Sequence, residues 1–88
     1  MSNDWVEIGF ITNYYSKPLA AIIEITAGSL KVGDKIKIKG HTTNFEMVVD
    51  SMQIEHHNVE EVLPGQILGL RVKERVRPHD RVFKERKP

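Results

Sequence analysis

The chain contains no cysteine, which excludes disulfide bonds and thiolate metal ligands. It has no run of roughly eighteen apolar residues, the length that a membrane-spanning helix requires. Its N-terminal sequence, MSNDWVEIGF, lacks the basic region and the apolar core of a signal peptide. These absences predict a cytoplasmic protein with no membrane segment.

Signatures of catalysis are also missing. No G-x-x-x-x-G-K-[ST] loop is present to hold a nucleotide phosphate. None of Ser16, Ser29 and Ser51 lies in a nucleophile elbow. The neighbouring carboxylates Glu60 and Glu61 are adjacent in sequence, and such neighbours rarely converge on one substrate. We therefore expect a protein that is not an enzyme and that binds no nucleotide and no cofactor.

The four histidines are the remaining candidates for a metal site. His56 and His57 are adjacent, whereas His41 and His79 lie elsewhere in the chain. Adjacent residues of a strand point to opposite faces, so both could bind one ion only from a loop. Zinc takes three or four converging ligands. Loop histidines without a chemical role are therefore the favoured interpretation, and we expect no metal.

Short alternating runs of apolar and polar residues dominate the sequence. Their apolar members are Val6, Ile8 and Phe10, then Ala21, Ile23 and Ile25, then Ile36 and Ile38, then Phe45, Met47 and Val49. Such alternation places one face of a strand on a core and the other in water. Turn residues between the runs favour a barrel or a sandwich. Only residues 58–63 could form a helical turn, before Pro64 ends it.

The chain length predicts one domain over residues 1–88, with a core at about 5–84 and a disordered tail at 85–88. Within it, Met52 and Ile54 have the opposite parity to the run that ends at Val49. One extra residue near Asp50 and Ser51 would bring both sets onto the core face. The pattern therefore predicts a β-bulge there.

Three segments carry a family resemblance. Residues 28–36 read GSLKVGDKI, residues 51–57 read SMQIEHH and residues 63–70 read LPGQILGL. They are similar to the patterns G-x-L-x-x-G-D-x-[VI], S-[VM]-[EQ]-[MI] and A-x-x-G-[DQ]-x-[VL]-G-[FL] in the second domain of translational GTPases such as elongation factor Tu. Residues 77–82 resemble the last hairpin of that domain, x-R-x-G-D-V, with His79 in place of glycine. The resemblance covers roughly residues 8–83.

This resemblance implies an all-β fold, a small closed antiparallel β-barrel of six to seven strands. It also implies a tight turn at Gly65 and a close backbone approach at Gly69. Residues 9–18 lack the glycines that the family often carries in its first hairpin, and the nucleotide domain is missing. The chain is more similar to small stand-alone elongation-factor-like proteins. Related barrels are also attached to peptidase-like proteins implicated in tRNA modification.

Two rows of cations are the strongest functional feature of the sequence. On strands they would line outer faces, and they comprise Lys35, Lys37 and Lys39 in one row and Arg71, Lys73, Arg75 and Arg77 in the other. If adjacent, the rows would present a cationic surface to a phosphate backbone. The leading prediction is a translation-related module that binds structured RNA, either tRNA or ribosomal RNA. The competing interpretation is a solvated strand face that prevents aggregation.

A second hypothesis is a protein-interaction module. It would dock on an enzyme related to translation or to tRNA modification, through exposed Trp5, Ile11 and Val48. Residues 40–70 contain five acidic residues and no lysine or arginine, so the surface is dipolar. A dipolar surface suits a protein partner as well as RNA. The sequence leaves the identity of either partner open.

Overall fold

The computed structural model describes residues 4–17 and 19–86, and every regular element in them is a strand. None of the described residues forms a helix that could cross a membrane. The strands are β1 (Asp4–Ser16), β2 (Leu19–Ile25), β3 (Leu30–Lys31), β4 (Lys35–Lys39), β5 (Asn44–Val48), β6 (Met52–Ile54), β7 (His57–Val59), β8 (Glu61–Val62), β9 (Ile67–Arg71) and β10 (Arg81–Arg86). The all-β prediction is confirmed.

The strands form one antiparallel sheet and one small ribbon. The eight-stranded sheet has the order β5-β4-β10-β1-β2-β9-β6-β7, and β3 pairs with β8. Within residues 4–17 and 19–86 the edge strands β5 and β7 do not pair with each other, so the sheet is open. The prediction of a closed barrel of six to seven strands was therefore wrong. Alternation predicts the strands but not whether their outermost members meet.

The core lies on one face of this sheet. On β2, Ala21, Ile23 and Ile25 are fully buried, as the alternation predicted. The same apolar cluster includes Phe45 from β5 and Met52 from β6, which lie near opposite ends of the strand order. The sheet therefore curls around its apolar side chains, and the opposite face remains accessible.

Strand β1 departs from simple alternation because it contains two irregularities. Its register on β10 shifts between Glu7 and Gly9, so Ile8 has no partner in that ladder. Its register on β2 shifts between Ile11 and Asn13. As a result Ile8 and Ile11 are both buried despite their opposite parity. The prediction that Ile11 is exposed, which the protein-interaction hypothesis used, was therefore wrong.

The bulge predicted near Asp50 and Ser51 takes another form. β5 pairs with β4, whereas the next strand, β6, pairs with β7 and β9 at the far side of the sheet. Residues 49–51 carry the chain between these places, so β5 and β6 are separate strands. Val49 and Met52 are nevertheless both buried, as the parity argument required. The helical turn suggested for residues 58–63 is absent, since strands β7 and β8 occupy most of that range.

The last strand lies in the middle of the sheet. β10 pairs with β1 on one side and with β4 on the other, and Asp4 is opposite Arg86. Glu85 and Arg86 continue this strand, so the tail expected to be disordered is ordered at these two positions. Residues 87 and 88 lie outside the described residues.

A lysine on β10 fixes the turn before β4. The Lys84 ammonium donates a hydrogen bond of 2.8 Å to the Ser29 carbonyl and lies 3.6 Å from the Asp34 carboxylate. That carboxylate also accepts a hydrogen bond of 2.8 Å from the Lys31 backbone N–H. Leu30 is completely buried beneath the turn. Residues 28–34 are thus tied to the centre of the sheet.

Candidate functional site

The structure separates the two predicted rows of cations. Lys35, Lys37 and Lys39 lie on β4, as expected from their alternation. Of the second row only Arg71 lies in a strand, because β9 ends there. Three strands, β10, β1 and β2, separate β4 from β9 in the sheet. The predicted continuous row over residues 71–77 was wrong, and the two rows are not neighbours in the sheet.

Several of these cations already have partners. Lys35 lies 3.3 Å from the Glu46 carboxylate. The Lys37 ammonium lies 4.4 Å from the centroid of the Trp5 ring, a distance suited to a cation–π contact. Lys73 lies 5.9 Å from the Phe45 ring, while the valines beside it in the chain are buried. The segment after β9 packs on the core through Val72 and Val76 but forms no regular strand, although the Val72 N–H donates a hydrogen bond of 3.1 Å to the Leu19 carbonyl of β2.

The histidines do not converge. No group of three or more His, Asp or Glu side chains is placed to hold a metal ion within residues 4–17 and 19–86. Glu55 and His56 form the two-residue turn between β6 and β7, with φ of 50° and 67°. His79 also has a positive φ, 77°, and it stands where the family pattern has glycine. These positions mark turns in which side chains are tolerated at a conformational cost.

A groove of about 550 Å³ lies over β2, β9 and β6. Its floor consists of Ala20, Ile22 and Gly69. On β9 the side chains of Leu68 and Leu70 are buried in the core, whereas Ile67 and Arg71 are exposed. Since side chains alternate between faces, the groove lies on the side of the sheet opposite the core.

Strand register places the groove residues in rows. Ala20 is paired with Tyr15 on one side and with Arg71 on the other. In the adjacent row, Gly69 is paired with Ile22 on one side and with Gln53 on the other. Small residues at the centre of each row leave a channel between taller side chains. The alternation of residues along each strand predicts which face a side chain lies on. The strand order, which the sequence does not reveal, is what brings β2, β9 and β6 together.

Gly69 creates depth in the groove without being required by backbone geometry. A Cβ atom at this position would meet Ile22 Cδ1 at 3.8 Å and the Gln53 carbonyl oxygen at 4.0 Å, which are ordinary contacts. The predicted close backbone approach at Gly69 was therefore wrong. That constraint lies instead at Gly9, where a Cβ atom would collide with the Glu24 carbonyl oxygen. A larger side chain at position 69 would project into the groove.

Aromatic and polar side chains form the walls. Tyr15 and Ile67 are each 51% exposed, which is high for large apolar groups. The Asn13 amide lies 3.4 Å from the Tyr15 hydroxyl, and the Gln53 amide donates a hydrogen bond of 3.1 Å to the Asn58 side-chain oxygen. The groove thus combines an apolar floor with fixed polar groups, which is the usual composition of a binding site.

Comparison with known proteins points away from translation factors. No protein-family model matches the chain. It is 44% identical over 79 residues to a Methanocaldococcus jannaschii protein named as an uncharacterized protease, covering 89% of this chain and 19% of that protein. It is 35% identical over 80 residues to a Porphyromonas gingivalis protein named as a collagenase, covering 90% of this chain and 19% of that protein. The chain spans about a fifth of the length of these curated relatives.

Solved structures agree on the fold. The C-terminal domain of a Geobacillus thermoleovorans protein named as a U32 peptidase superposes with a TM-score of 0.83 at 22% identity, covering 90% of this chain and 91% of that one. Its selenomethionine variant superposes with a TM-score of 0.81 at 20% identity, covering 86% of this chain and 95% of that one. At this identity the likeness establishes the fold alone.

These findings correct the functional predictions. The relatives are named as proteases and collagenases, so the assignment to a translation-factor family and the RNA-binding function were wrong. The alternative of a module docked on a translation- or tRNA-related enzyme is not supported either. The names of the relatives also do not support the prediction that the protein is not an enzyme. A single domain over residues 1–88 and a cytoplasmic location stay predictions. The chain is similar to one segment of protease-like proteins and has the fold of a U32 peptidase C-terminal domain.

Proposed function

We propose that this chain, which has the fold of a U32 peptidase C-terminal domain, binds polypeptide and holds an extended segment of substrate. On this proposal the bond-breaking chemistry belongs to residues outside these 88. The observation that carries the proposal is the groove over β2, β9 and β6, with its apolar floor and aromatic wall. The relatives named as protease and collagenase supply the class of ligand.

The dimensions of the groove suit an extended chain. β9 contributes the five residues Ile67–Arg71, and its rise of about 3.3 Å per residue gives a length of about 13 Å. A fully extended polypeptide spans a similar distance with about four residues. Ala20 and Gly69 allow the ligand backbone to approach the floor, while Ile22 and Ile67 offer apolar contact.

Tyr15 is the expected anchor of binding. Tyrosine presents a large rigid ring at low conformational cost, together with a hydroxyl that can bond to a peptide group. Tyr15 is paired with Ala20 on the neighbouring strand, and the small alanine side chain leaves room beside the ring. The Asn13 contact limits rotation of the hydroxyl end. An extended peptide would therefore pack one side chain between Tyr15 and the strand β9.

NMR titration tests this proposal. The ¹⁵N-labelled chain is mixed with eight-residue peptides that are acetylated and amidated, so that no terminal charge contributes. We expect shifts to concentrate at Ile22, Ile67 and Gly69, with a dissociation constant in the millimolar range. Gly69→Val fills the groove with a residue that strands favour, and it should weaken binding at least about fivefold.

The matched control is Lys39→Val, which places the same side chain at an exposed end of β4, far from the groove. It should bind the peptides as the unmodified chain does. Shifts that spread over the opposite face, or equal binding by Gly69→Val and the unmodified chain, would contradict the proposed function.

A further inference from the structure

The groove has an unpaired cation at one end. Arg71 is the last residue of β9 and lines the groove beside Tyr15 and Ala20. Its guanidinium takes part in no ion pair and in no side-chain hydrogen bond within residues 4–17 and 19–86. By contrast, Arg81 and Arg86 each lie beside a carboxylate. A guanidinium left without a carboxylate inside a groove is suited to bind one from a ligand.

The other end of the groove carries an unpaired anion. The Glu55–His56 turn follows β6, and β6 runs antiparallel to β9 with Gln53 opposite Gly69. Proceeding from Gln53 to Glu55 therefore runs from Gly69 toward Ile67, away from Arg71. Glu55 lines the groove and is exposed. Within the described ranges it forms no ion pair.

Arg71 and Glu55 lie toward opposite ends of β9, a five-residue strand about 13 Å long, so they suit a ligand that carries opposite charges separated by about that length. An extended tetrapeptide with free ends has this property, since its terminal ammonium and carboxylate are separated by about the same distance. We infer that the groove selects short oligopeptides with free termini, the carboxylate at Arg71 and the ammonium at Glu55. The inference rests on the proposed function and adds the polarity and the length of the ligand.

The position of the charges favours chain termini over acidic or basic side chains. Arg71 and Glu55 lie at the ends of the groove, and the floor between them, Ala20, Ile22 and Gly69, carries no charge. A ligand bound in this way lies parallel to β9, with its last residue beside Tyr15. Oligopeptides of this size are the chemical class that peptide-bond hydrolysis releases.

The test compares one tetrapeptide, Ala-Leu-Leu-Ala, in four forms: free, amidated, acetylated and blocked at both ends. Amidation should weaken binding to the unmodified chain by about three- to fivefold, the upper part of the range for an exposed ion pair. In Arg71→Gln the same amidation should change binding by less than about twofold, because the partner of the carboxylate is gone. Acetylation should show the same dependence on Glu55, tested with Glu55→Gln.

Each variant is the control for the other, because Arg71→Gln should keep the full effect of acetylation and Glu55→Gln that of amidation. Equal binding of the free and doubly blocked peptides would overturn the inference while leaving the proposed function intact. Absence of binding by every peptide, including the blocked eight-residue ones, would overturn both. An acetylated and amidated peptide with an internal aspartate that binds as tightly as the free peptide would refute the choice of termini.

Discussion

The same substitution should have very different effects on stability at two glycines of this sheet. Gly9 lies at the bulge of β1, opposite Ile25 on β2 and Val82 on β10. A Cβ atom there would collide with the Glu24 carbonyl oxygen and would lie 3.1 Å from the Glu24 carbonyl carbon and 3.2 Å from Ile25 Cα. These are backbone atoms of a paired strand, so they cannot rotate away. Gly9→Ala must therefore separate β1 from β2.

Gly69→Ala provides the comparison. Its Cβ atom would meet only ordinary contacts at 3.8 and 4.0 Å. Alanine also reduces the conformational freedom of the unfolded chain, which stabilises a compatible site by about 0.4–1 kcal/mol. Overpacking costs about 1–3 kcal/mol, and a backbone collision belongs at the upper limit. We expect Gly9→Ala to lower the free energy of unfolding by about 3 kcal/mol and Gly69→Ala to change it by less than about 1 kcal/mol.

Urea denaturation measures this difference. Trp5 is the only tryptophan of the chain and lies in β1, so its fluorescence reports the centre of the sheet. For a domain of this size, each kcal/mol lost from the free energy of unfolding lowers Tm by about 4–8 °C. The Gly9→Ala variant should therefore melt roughly 12–24 °C below the unmodified chain. Equal midpoints for the two variants, with unchanged m values, would refute the packing argument. A tolerated Gly69→Ala would also validate position 69 for blocking the groove.

The same urea assay tests three further predictions about the fold. Lys84→Met removes a half-buried ammonium that contacts a carbonyl and a carboxylate, and should lower the free energy of unfolding by about 1–2 kcal/mol. Arg86→Met breaks an exposed ion pair and should lower it by less than about 0.5 kcal/mol. Equal losses of stability in the two variants would contradict the role assigned to Lys84. Replacing Glu55 and His56 together by Asn and Gly puts residues that tolerate positive φ at both turn positions and should stabilise the chain by about 1–2 kcal/mol. A loss of stability would show that the turn is not strained. Ile23→Ala opens a cavity in the core and should cost about 2–5 kcal/mol, and a cost below 1 kcal/mol would show that the core collapses around it.

Local patterns predicted the parts of the fold that depend on local chemistry. Alternate apolar residues of β2 and β4 are buried as the pattern predicted, namely Ala21, Ile23 and Ile25 on β2 and Ile36 and Ile38 on β4. Gly65, at which the family resemblance implied a tight turn, has a positive φ of 91°. Each of these features depends on a few adjacent residues, so the sequence is sufficient to identify it.

Features that depend on neighbouring strands could not be predicted in this way. The bulge at Ile8 is set by pairing with β10, which lies at the other end of the chain. Val72 and Val76 are buried as strand residues would be, although the segment that contains them forms no regular strand. The groove requires Tyr15, Ala20 and Arg71 to meet across three strands. Gly69 between two buried leucines was the only local signal of it.

The pairing of β1 with β10 has a consequence for synthesis of the chain. Asp4 and Arg86 face each other in the middle of the sheet, so β1 lacks one of its two neighbours until the residues of β10 have been synthesised. Contacts of such sequence separation form slowly, because closing a long loop costs entropy before the contact is gained. On the ribosome, the chain should therefore remain unfolded, with the apolar face of β1 uncovered, until residue 86 has left the exit tunnel. Folding in the cell should then be a single late event, and a chain arrested before β10 should depend on chaperones.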